Sequence, residues 1–242
     1  MPITDRIIFI IGGATGIGRA TATLCAQRGA RVIIADVNET AGKAVAASLH
    51  VPFHHLDVTR EDEVAAVFDK IAHSHGQINA LIQTAGILQG AFVPIEEFEV
   101  ELFRRVLDVN TVGSFLCAKY AAPLLRKSDK PALVLISSGA AHSGSSSYAY
   151  GASKGGVSAL GITLANKLAP EGIRVNVVCP GGIQTPMKLS VVEAEARRDG
   201  RNVDEALASA AAELGNPIGI AQILAFLVSP EADYMRGSIN TR

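Results

Sequence analysis

Apolar residues in this chain fall into two alternating patterns. One is a short, nearly continuous run, as in RIIFII at 6–11, RVIIA at 31–35, ALIQ at 80–83, ALVLIS at 132–137 and RVNVV at 174–178. Runs of that length and character read as strands buried on both faces of a sheet. The other is a stripe, clearest at Val64, Val67, Phe68 and Ile71, whose i, i+3, i+4, i+7 spacing is that of an amphipathic helix. The same reasoning predicts helices over 17–28, about 40–49, 97–126, 149–168 and 217–228, with short strands near 53–56 and 237–240. Local punctuation agrees with these bounds. Gly29 is placed to stop the first helix, Pro170 and Gly172 to end the one from 149, and Thr59 with Asp62 reads as an N-cap and its partner.

Strand–helix alternation builds a parallel sheet with helices on both faces, and right-handed crossovers make it doubly wound. The expectation is an α/β Rossmann fold of seven strands in a single domain spanning 1–242. One segment stands apart. Residues 188–215 are rich in alanine and charge and contain no strand, so they read as a helical insertion over the carboxyl edge of the sheet, a lid for a substrate.

Composition narrows the function classes. Apolar residues make up 48% of the 242 residues, enough for one large core. The net charge is −1 without a run of like charges, which argues against nucleic acid or an anionic membrane as partner. IIFII at 7–11 is far too short to span a bilayer, and MPITDRIIF lacks the pattern of a secretory signal. Cys25, Cys117 and Cys179 lie scattered among apolar neighbours without C-x-x-C spacing. That pattern argues against disulfides or zinc and for buried thiols in a reducing, cytoplasmic setting.

The first strand runs into GGATGIG at 12–18, where Gly12, Gly16 and Gly18 precede a helix. A tight turn, close backbone approach and a helix N-terminus are what a pyrophosphate needs. Asp36 ends the second strand eighteen residues after Gly18. A carboxylate there accepts hydrogen bonds from ribose hydroxyls and repels a 2′-phosphate, which selects NAD over NADP. Val37 offers no compensating charge, and Arg19 sits on the wrong side of the turn. Asp57, in LDVT, is similarly placed for an adenine amino group, or belongs to a helix-capping turn.

YAYGASKGG at 148–156 offers two tyrosines to one lysine. On a helix only Tyr150 shares a face with Lys154, because i and i+4 lie one turn apart and i and i+6 do not. Tyr148 is then left to packing or capping at the helix start.

Taken in register, these motifs resemble the short-chain dehydrogenase/reductase family over nearly the whole chain. Its glycine turn matches 11–18, its N-N-A-G appears as QTAG at 83–86, its catalytic asparagine matches Asn110 in LDVNTVGSF, its Y-x-x-x-K matches Tyr150 and Lys154, and its P-G-x-[IV]-x-T matches PGGIQT at 180–185. The resemblance assigns cofactor contacts to Gly12, Thr15, Gly16, Ile17 and Gly18 in the turn and to Asp36, Asp57 and Val58 after the next strands. It adds Ala85 and Gly86, then Tyr150 and Lys154, and finally Pro180, Gly181, Ile183 and Thr185 near the nicotinamide. Its serine matches ISS, where the family spacing points to Ser137; Ser138 is preferred as the second serine, with one residue lost from the next loop. Ile11 and QTAG replace bracing side chains, which puts local stability in doubt, and the chain ends GSINTR without the V-D-G-G tail of many relatives.

The resemblance implies reversible hydride transfer between NAD(H) and a secondary alcohol or ketone. Tyr150 would be the general acid/base, Lys154 its electrostatic partner and ribose ligand, Ser138 the donor that orients the substrate oxygen, and Asn110 the holder of a water that links Lys154 to solvent. A phenol brought down by about three units needs about 4 kcal/mol, which an ammonium about 4 Å away supplies, with desolvation opposing it. The pocket would be built from 88–95, 139–148 and 186–215, and LQGAFVP points to a mainly apolar substrate. His142 either borders it or is a surface residue. A homotetramer packed through the long helices is implied as well. Two other readings compete. One is a non-catalytic NAD-binding sensor or scaffold. The other is an NADP-dependent reductase of carrier-bound acyl groups, which needs a basic patch such as Arg197, Arg198 and Arg201.

Overall fold

A computed structural model describes residues 3–241. Seven strands form one parallel sheet in the order β3-β2-β1-β4-β5-β6-β7. They are β1 (Ile7–Ile11), β2 (Arg31–Asp36), β3 (Phe53–His55), β4 (Ala80–Gln83), β5 (Ala132–Ile136), β6 (Arg174–Cys179) and β7 (Gly237–Asn240). The order reverses between β1 and β4, so the crevice at their carboxyl ends is the topological switch point where ligands bind in such sheets.

Successive side chains of a strand point to opposite faces, and the core divides accordingly. Ile7, Phe9 and Ile11 pack with α3 (Glu61–His75), α5 (Gly113–Leu125) and α7 (Tyr148–Leu168). Ile8 and Ile10 pack with α1 (Gly16–Gln27), α2 (Glu39–Leu49) and α10 (Pro217–Leu227). Cys25, Cys117 and Cys179 are all buried and unpaired. Among the described residues no helix is long and apolar enough to cross a membrane.

Three expected elements differ. The helix predicted over 97–126 is two helices, α4 (Val100–Leu107) and α5, joined by a π-helical turn over Asp108–Val112. Gly113 there lies so close to Val58 that a Cβ would come within 2.7 Å of its Cγ2. Thr59 is not the N-cap of α3. Its hydroxyl donates to Asp57 Oδ1 at 2.7 Å, Arg60 occupies the cap position, and Asp62 pairs with Arg60. Glu61, Asp62 and Glu63 in the first turn suit the positive end of the helix without a side-chain cap. A short helix, α6 (Ala140–Ser143), lies in the segment expected to be irregular.

The segment expected as an insertion folds into α8 (Pro186–Arg198) and α9 (Val203–Glu213). The C-terminal tail is held from β6. Arg174, 1% exposed, donates to the carbonyls of Leu227, Ser229 and Ala232, and Asn176 donates to Met235 O. α7 sits very near the sheet, where a Cβ on Gly161 would fall 2.0 Å from Val177 Cγ2.

Candidate active site

The β1–α1 turn is compact for a steric reason. A Cβ on Gly18 would lie 2.0 Å from the Gly12 carbonyl oxygen, and one on Gly12, at φ +82°, 2.5 Å from Ala85 N. Only glycine permits this approach, and it leaves the N-terminus of α1 open. Thr15 and Ile17 line the same cavity as the glycines. Thr84 braces the turn, its hydroxyl donating to Ile11 O at 2.7 Å and to Gly12 O at 3.1 Å. Gln83 Oε1 accepts from Ala85 N at 2.9 Å. The doubt raised by Ile11 and QTAG is thereby removed. Ile11 is buried in the core, and the threonine and glutamine supply the polar ties.

Asp36 reaches the turn. Its Oδ2 accepts from Ala14 N at 3.0 Å and its Oδ1 from Asn38 N at 2.9 Å, which fixes the carboxylate at the cavity wall. Arg19 faces a separate groove with Thr23 and Asn216, away from Asp36. Asp57 Oδ1 accepts from both the amide and the hydroxyl of Thr59, a local turn that does not cap α3, whose cap position is Arg60, while Asp57 and Val58 line the cavity.

Asn110 falls inside the π turn and is fully buried. Its Oδ1 accepts from Ile87 N at 2.8 Å, and its Nδ2 donates to Ile87 O and Ser153 Oγ, both at 2.9 Å. The side chain thus pins the segment after β4. A Cβ on Gly86 would meet both Asn110 Oδ1, at 3.1 Å, and Lys154 Nζ, at 3.3 Å, so this glycine separates the two.

α7 begins with Ser147, whose Oγ accepts from Tyr150 N and donates to Gln89 O. Tyr150 and Lys154 follow one turn apart and both line the cavity, whereas Tyr148 is half exposed and packs edge-on against Phe98 at 5.5 Å. The Lys154 ammonium, 4% exposed, donates to Ile136 O at 2.8 Å. Burial pulls it down to about 8, with Cys179 opposing the drop. Burial also raises the Tyr150 phenol above its ordinary value, against a hydrogen bond with Ser138 that lowers it. At both groups desolvation outweighs the local partners, the effect expected to oppose the ammonium.

The two serines separate cleanly. Ser137, 2% exposed, donates to Lys154 O at 2.7 Å and shares a hydrogen bond with Ser158. Ser138 Oγ accepts from Ala140 N at 3.1 Å and lines the cavity with Tyr150, whose phenol it draws down. Ser137 is thus committed to α7 through its hydroxyl, while Ser138 stands at the cavity wall with Tyr150.

The cavity of about 1030 Å³ is closed by pieces of all three expected segments: Leu88 and Phe92, then Gly139–Ala140 and Ser143–Ser146, then Met187, Lys188, Val191 and Glu195. Pro180, Gly181, Ile183 and Thr185 complete its inner wall, and Thr185 caps α8 by accepting from Lys188 N. Sequence reasoning missed Glu101, Arg104, Arg105 and Asp108, which line the mouth. Their i, i+3, i+4, i+7 spacing was the available signal. His142 is not among the lining residues; it is exposed, with Nε2 3.9 Å from Cys179 Sγ. Arg197, Arg198 and Arg201 form no free basic patch, since they pair with Glu193, Asp199 and Glu195. Among the described residues no cluster could hold a metal ion.

A glycine cradle that a Cβ would fill, a fixed carboxylate beyond it, and a buried ammonium beside a phenol fit a nicotinamide dinucleotide. Comparison with known proteins agrees. A family model described as enoyl-(acyl carrier protein) reductase matches residues 12–241. The chain is 37% identical to cis-4-hydroxycyclohexanecarboxylate dehydrogenase of Sinomonas cyclohexanicum, over 97% of this chain and 94% of that protein. It is 36% identical to tropinone reductase-like 2 of Erythroxylum coca, over 97% and 88%. Among solved structures, levodione reductase superposes with a TM-score of 0.90 at 29% identity, covering 99% of this chain and 96% of that one.

Proposed function

The chain belongs to the short-chain dehydrogenase/reductase family and is an oxidoreductase of the alcohol dehydrogenase and ketone reductase type with a nicotinamide cofactor, and from that premise we propose that the cofactor is NAD and the substrate a mainly apolar, ring-bearing secondary alcohol or ketone. The observation that carries this reading is the convergence of Ser138, Tyr150 and buried Lys154 on the wall of the cavity that also holds Asp36 and the glycine turn. Bound there, the dinucleotide would supply or accept the hydride at the substrate carbon.

The chain's own side chains handle the proton and the orientation. The Gly12–Gly18 turn, with Thr15 and Ile17, would hold the pyrophosphate. Asp36 would take the adenosine ribose hydroxyls and repel a 2′-phosphate, and Asp57 and Val58 would hold the adenine. Ala85 and Gly86 would lie along the dinucleotide, and Pro180, Gly181, Ile183 and Thr185 along its nicotinamide end. Tyr150 would give its phenolic proton to a ketone oxygen, or take one from an alcohol. Ser138 would donate to that oxygen and hold it near the phenol. Lys154, beneath, would favour the phenolate when it forms and bind the nearby ribose. Asn110 would act by fixing the Gly86–Leu88 segment, since its amide is already engaged there. α8 and α9 would serve as the lid.

The mainly apolar substrate is supported by Leu88, Phe92, Met187 and Val191 at the outer wall. The ring is suggested by the cyclohexanecarboxylate and levodione in the names of similar proteins. We further propose a cytoplasmic homotetramer. Three unpaired thiols fit a reducing setting, and Val112 and Phe115 near the start of α5, with Ile162 on α7, form exposed apolar positions on neighbouring long helices. The decisive experiment follows absorbance of the reduced cofactor with a panel of cyclic and acyclic alcohols and ketones, using NAD and NADP in parallel. Turnover of cyclic substrates with a higher kcat/KM for NAD is the expected result. Binding of NAD with no turnover across the panel would leave a sensor or scaffold instead. Light scattering at the monomer mass of 25.2 kDa would overturn the tetramer.

A further inference from the structure

Phe92 and Arg198 are far apart in sequence, and the function proposed above uses neither in the chemistry. Phe92 adopts φ +65°, a left-handed conformation that a bulky side chain rarely takes. Such residues persist only where the surroundings over-determine them, and they cluster at ligand clamps. Here the surroundings do so. Phe92 N–H donates to Ser146 O at 2.8 Å, and Gln89 O accepts from Ser147 Oγ at 2.6 Å. Gly90 lies close enough to Phe98 that a Cβ would come within 2.5 Å of the ring. The loop is thus bolted to the start of α7, the helix of Tyr150 and Lys154, and its strain holds Phe92 in the cavity wall.

The ring is met by the last turn of α8. The Arg198 guanidinium lies 4.2 Å from its centroid. Arg198 does not itself line the cavity, so it backs the ring from the outer side. Asp199 fixes the guanidinium through Arg198 Nε. Val191 and Glu195, on the same helix, line the cavity. A planar cation stacked on an aromatic face is a directional contact that a lysine reproduces poorly.

We propose that Phe92 is a specificity-determining wall of the substrate pocket and that Arg198 is its positioning residue, the stack between them being the latch by which α8 closes the pocket over an apolar substrate. This rests on the oxidoreductase reading for its substrate, but the latch itself is a property of the protein without ligands. Two consequences follow. Loss of the stack loosens α8 in the empty enzyme, and loss of the ring weakens binding of a cyclic substrate more than that of a small one.

The test combines proteolysis with kinetics. An endoproteinase that cuts after glutamate is applied to the full chain without cofactor or substrate, and cleavage at Glu193 and Glu195 is timed by mass spectrometry. Arg198→Ala and Phe92→Leu should each be cut about two- to fivefold faster than wild type, the ratio an exposed cation–π contact implies. Arg198→Lys should fall between, and the double variant should be no faster than the quicker single one. Unchanged cleavage in Arg198→Ala, a surface substitution that keeps the fold, would overturn the latch, as would rates that multiply in the double variant. With NADH, Phe92→Ala should raise KM for cyclohexanone about tenfold and change that for acetone less than about twofold. Equal effects on the two ketones would overturn the wall. If wild type reduces no ketone, the oxidoreductase reading fails while the cleavage rates still decide the latch.

Discussion

The Lys154 ammonium lies 5.7 Å from the centroid of the Tyr150 ring and donates its hydrogen to Ile136 O at 2.8 Å. The cation is thus tied to the end of β5, and burial holds the phenol above its usual range, which favours its protonated form. In this state the tyrosine is ready as an acid. Its use as a base requires added positive charge or a rise in pH.

That state sets a direction-dependent pH profile. Ketone reduction should have a kcat/KM that is flat from about pH 6 to 8 and falls once the phenol ionises. Alcohol oxidation should climb about tenfold per pH unit below that point. Tyr150→Phe should keep its circular dichroism spectrum and lose at least about a hundredfold in kcat in both directions. Steady-state profiles on one alcohol–ketone pair check both; near-wild-type turnover in the phenylalanine variant would remove Tyr150 from the mechanism.

Lys154 also predicts a stability signature. Its folded value is lowered from 10.5 to about 8. Between these, the unfolded chain carries a proton that the folded chain lacks, so stability rises with pH across that window; below about 8 both forms are charged and the burial penalty is complete. In Lys154→Met this slope vanishes. The Tm difference between wild type and variant should therefore shift in favour of wild type on going from about pH 7 to 10, as calorimetry of the cofactor-free proteins will read. An unchanged difference would mean that the ammonium is not desolvated as described.

The adjacent serines should fail in different ways. Ser137→Ala removes a buried donor to Lys154 O and should cost about 1–2 kcal/mol of stability with a modest change in rate. Ser138→Ala should leave Tm within about a degree or two and lower kcat about tenfold or more, with NAD affinity unchanged. Denaturation midpoints and kcat, measured side by side, distinguish them. The reverse pattern would restore Ser137 as the substrate-facing residue.

Asp36 is expected to set the cofactor preference. Replacing it with serine removes the charge that opposes a 2′-phosphate, so kcat/KM with NADP should rise and that with NAD fall, narrowing the ratio at least about tenfold. The Ala14 and Asn38 amides lose their charged acceptor, so a stability cost of about 1 kcal/mol should accompany the change. A wild-type preference for NADP would overturn the argument at its root.

Much of this architecture was legible before the structure. The inner strands announce themselves as apolar runs because both faces are covered, so ALIQ at 80–83 coincides with β4 and ALVLI at 132–136 with β5, whereas β7, GSIN, is half exposed at the sheet edge. The pairing of Tyr150 with Lys154 followed from helical spacing alone. What was not legible depends on contacts distant in sequence. The π turn at Asp108–Val112 answers to Ile87 and Ser153, neither of which its local sequence specifies. The bracing by Thr84 is equally hidden, because its hydroxyl acts on Ile11 O and Gly12 O, more than seventy residues away in the chain. Phe92 gives no local sign of its left-handed backbone, because the residues that enforce it come from the Ser146–Ser147 loop and from Phe98. Desolvation of the phenol is legible as an opposing effect, but its size depends on how the site packs and cannot be summed from a sequence.

Gly161 carries a consequence for how such a protein diversifies. With a hydrogen where any other residue has a carbon, α7 rests on Val177 without a spacer, and the proton-handling apparatus is welded to the sheet. Adaptability is left to α8 and α9, neither of which supplies a strand. Substitutions on the pocket-facing side of α8 should reshape the cavity while the seat of Tyr150 and Lys154 against the sheet is kept.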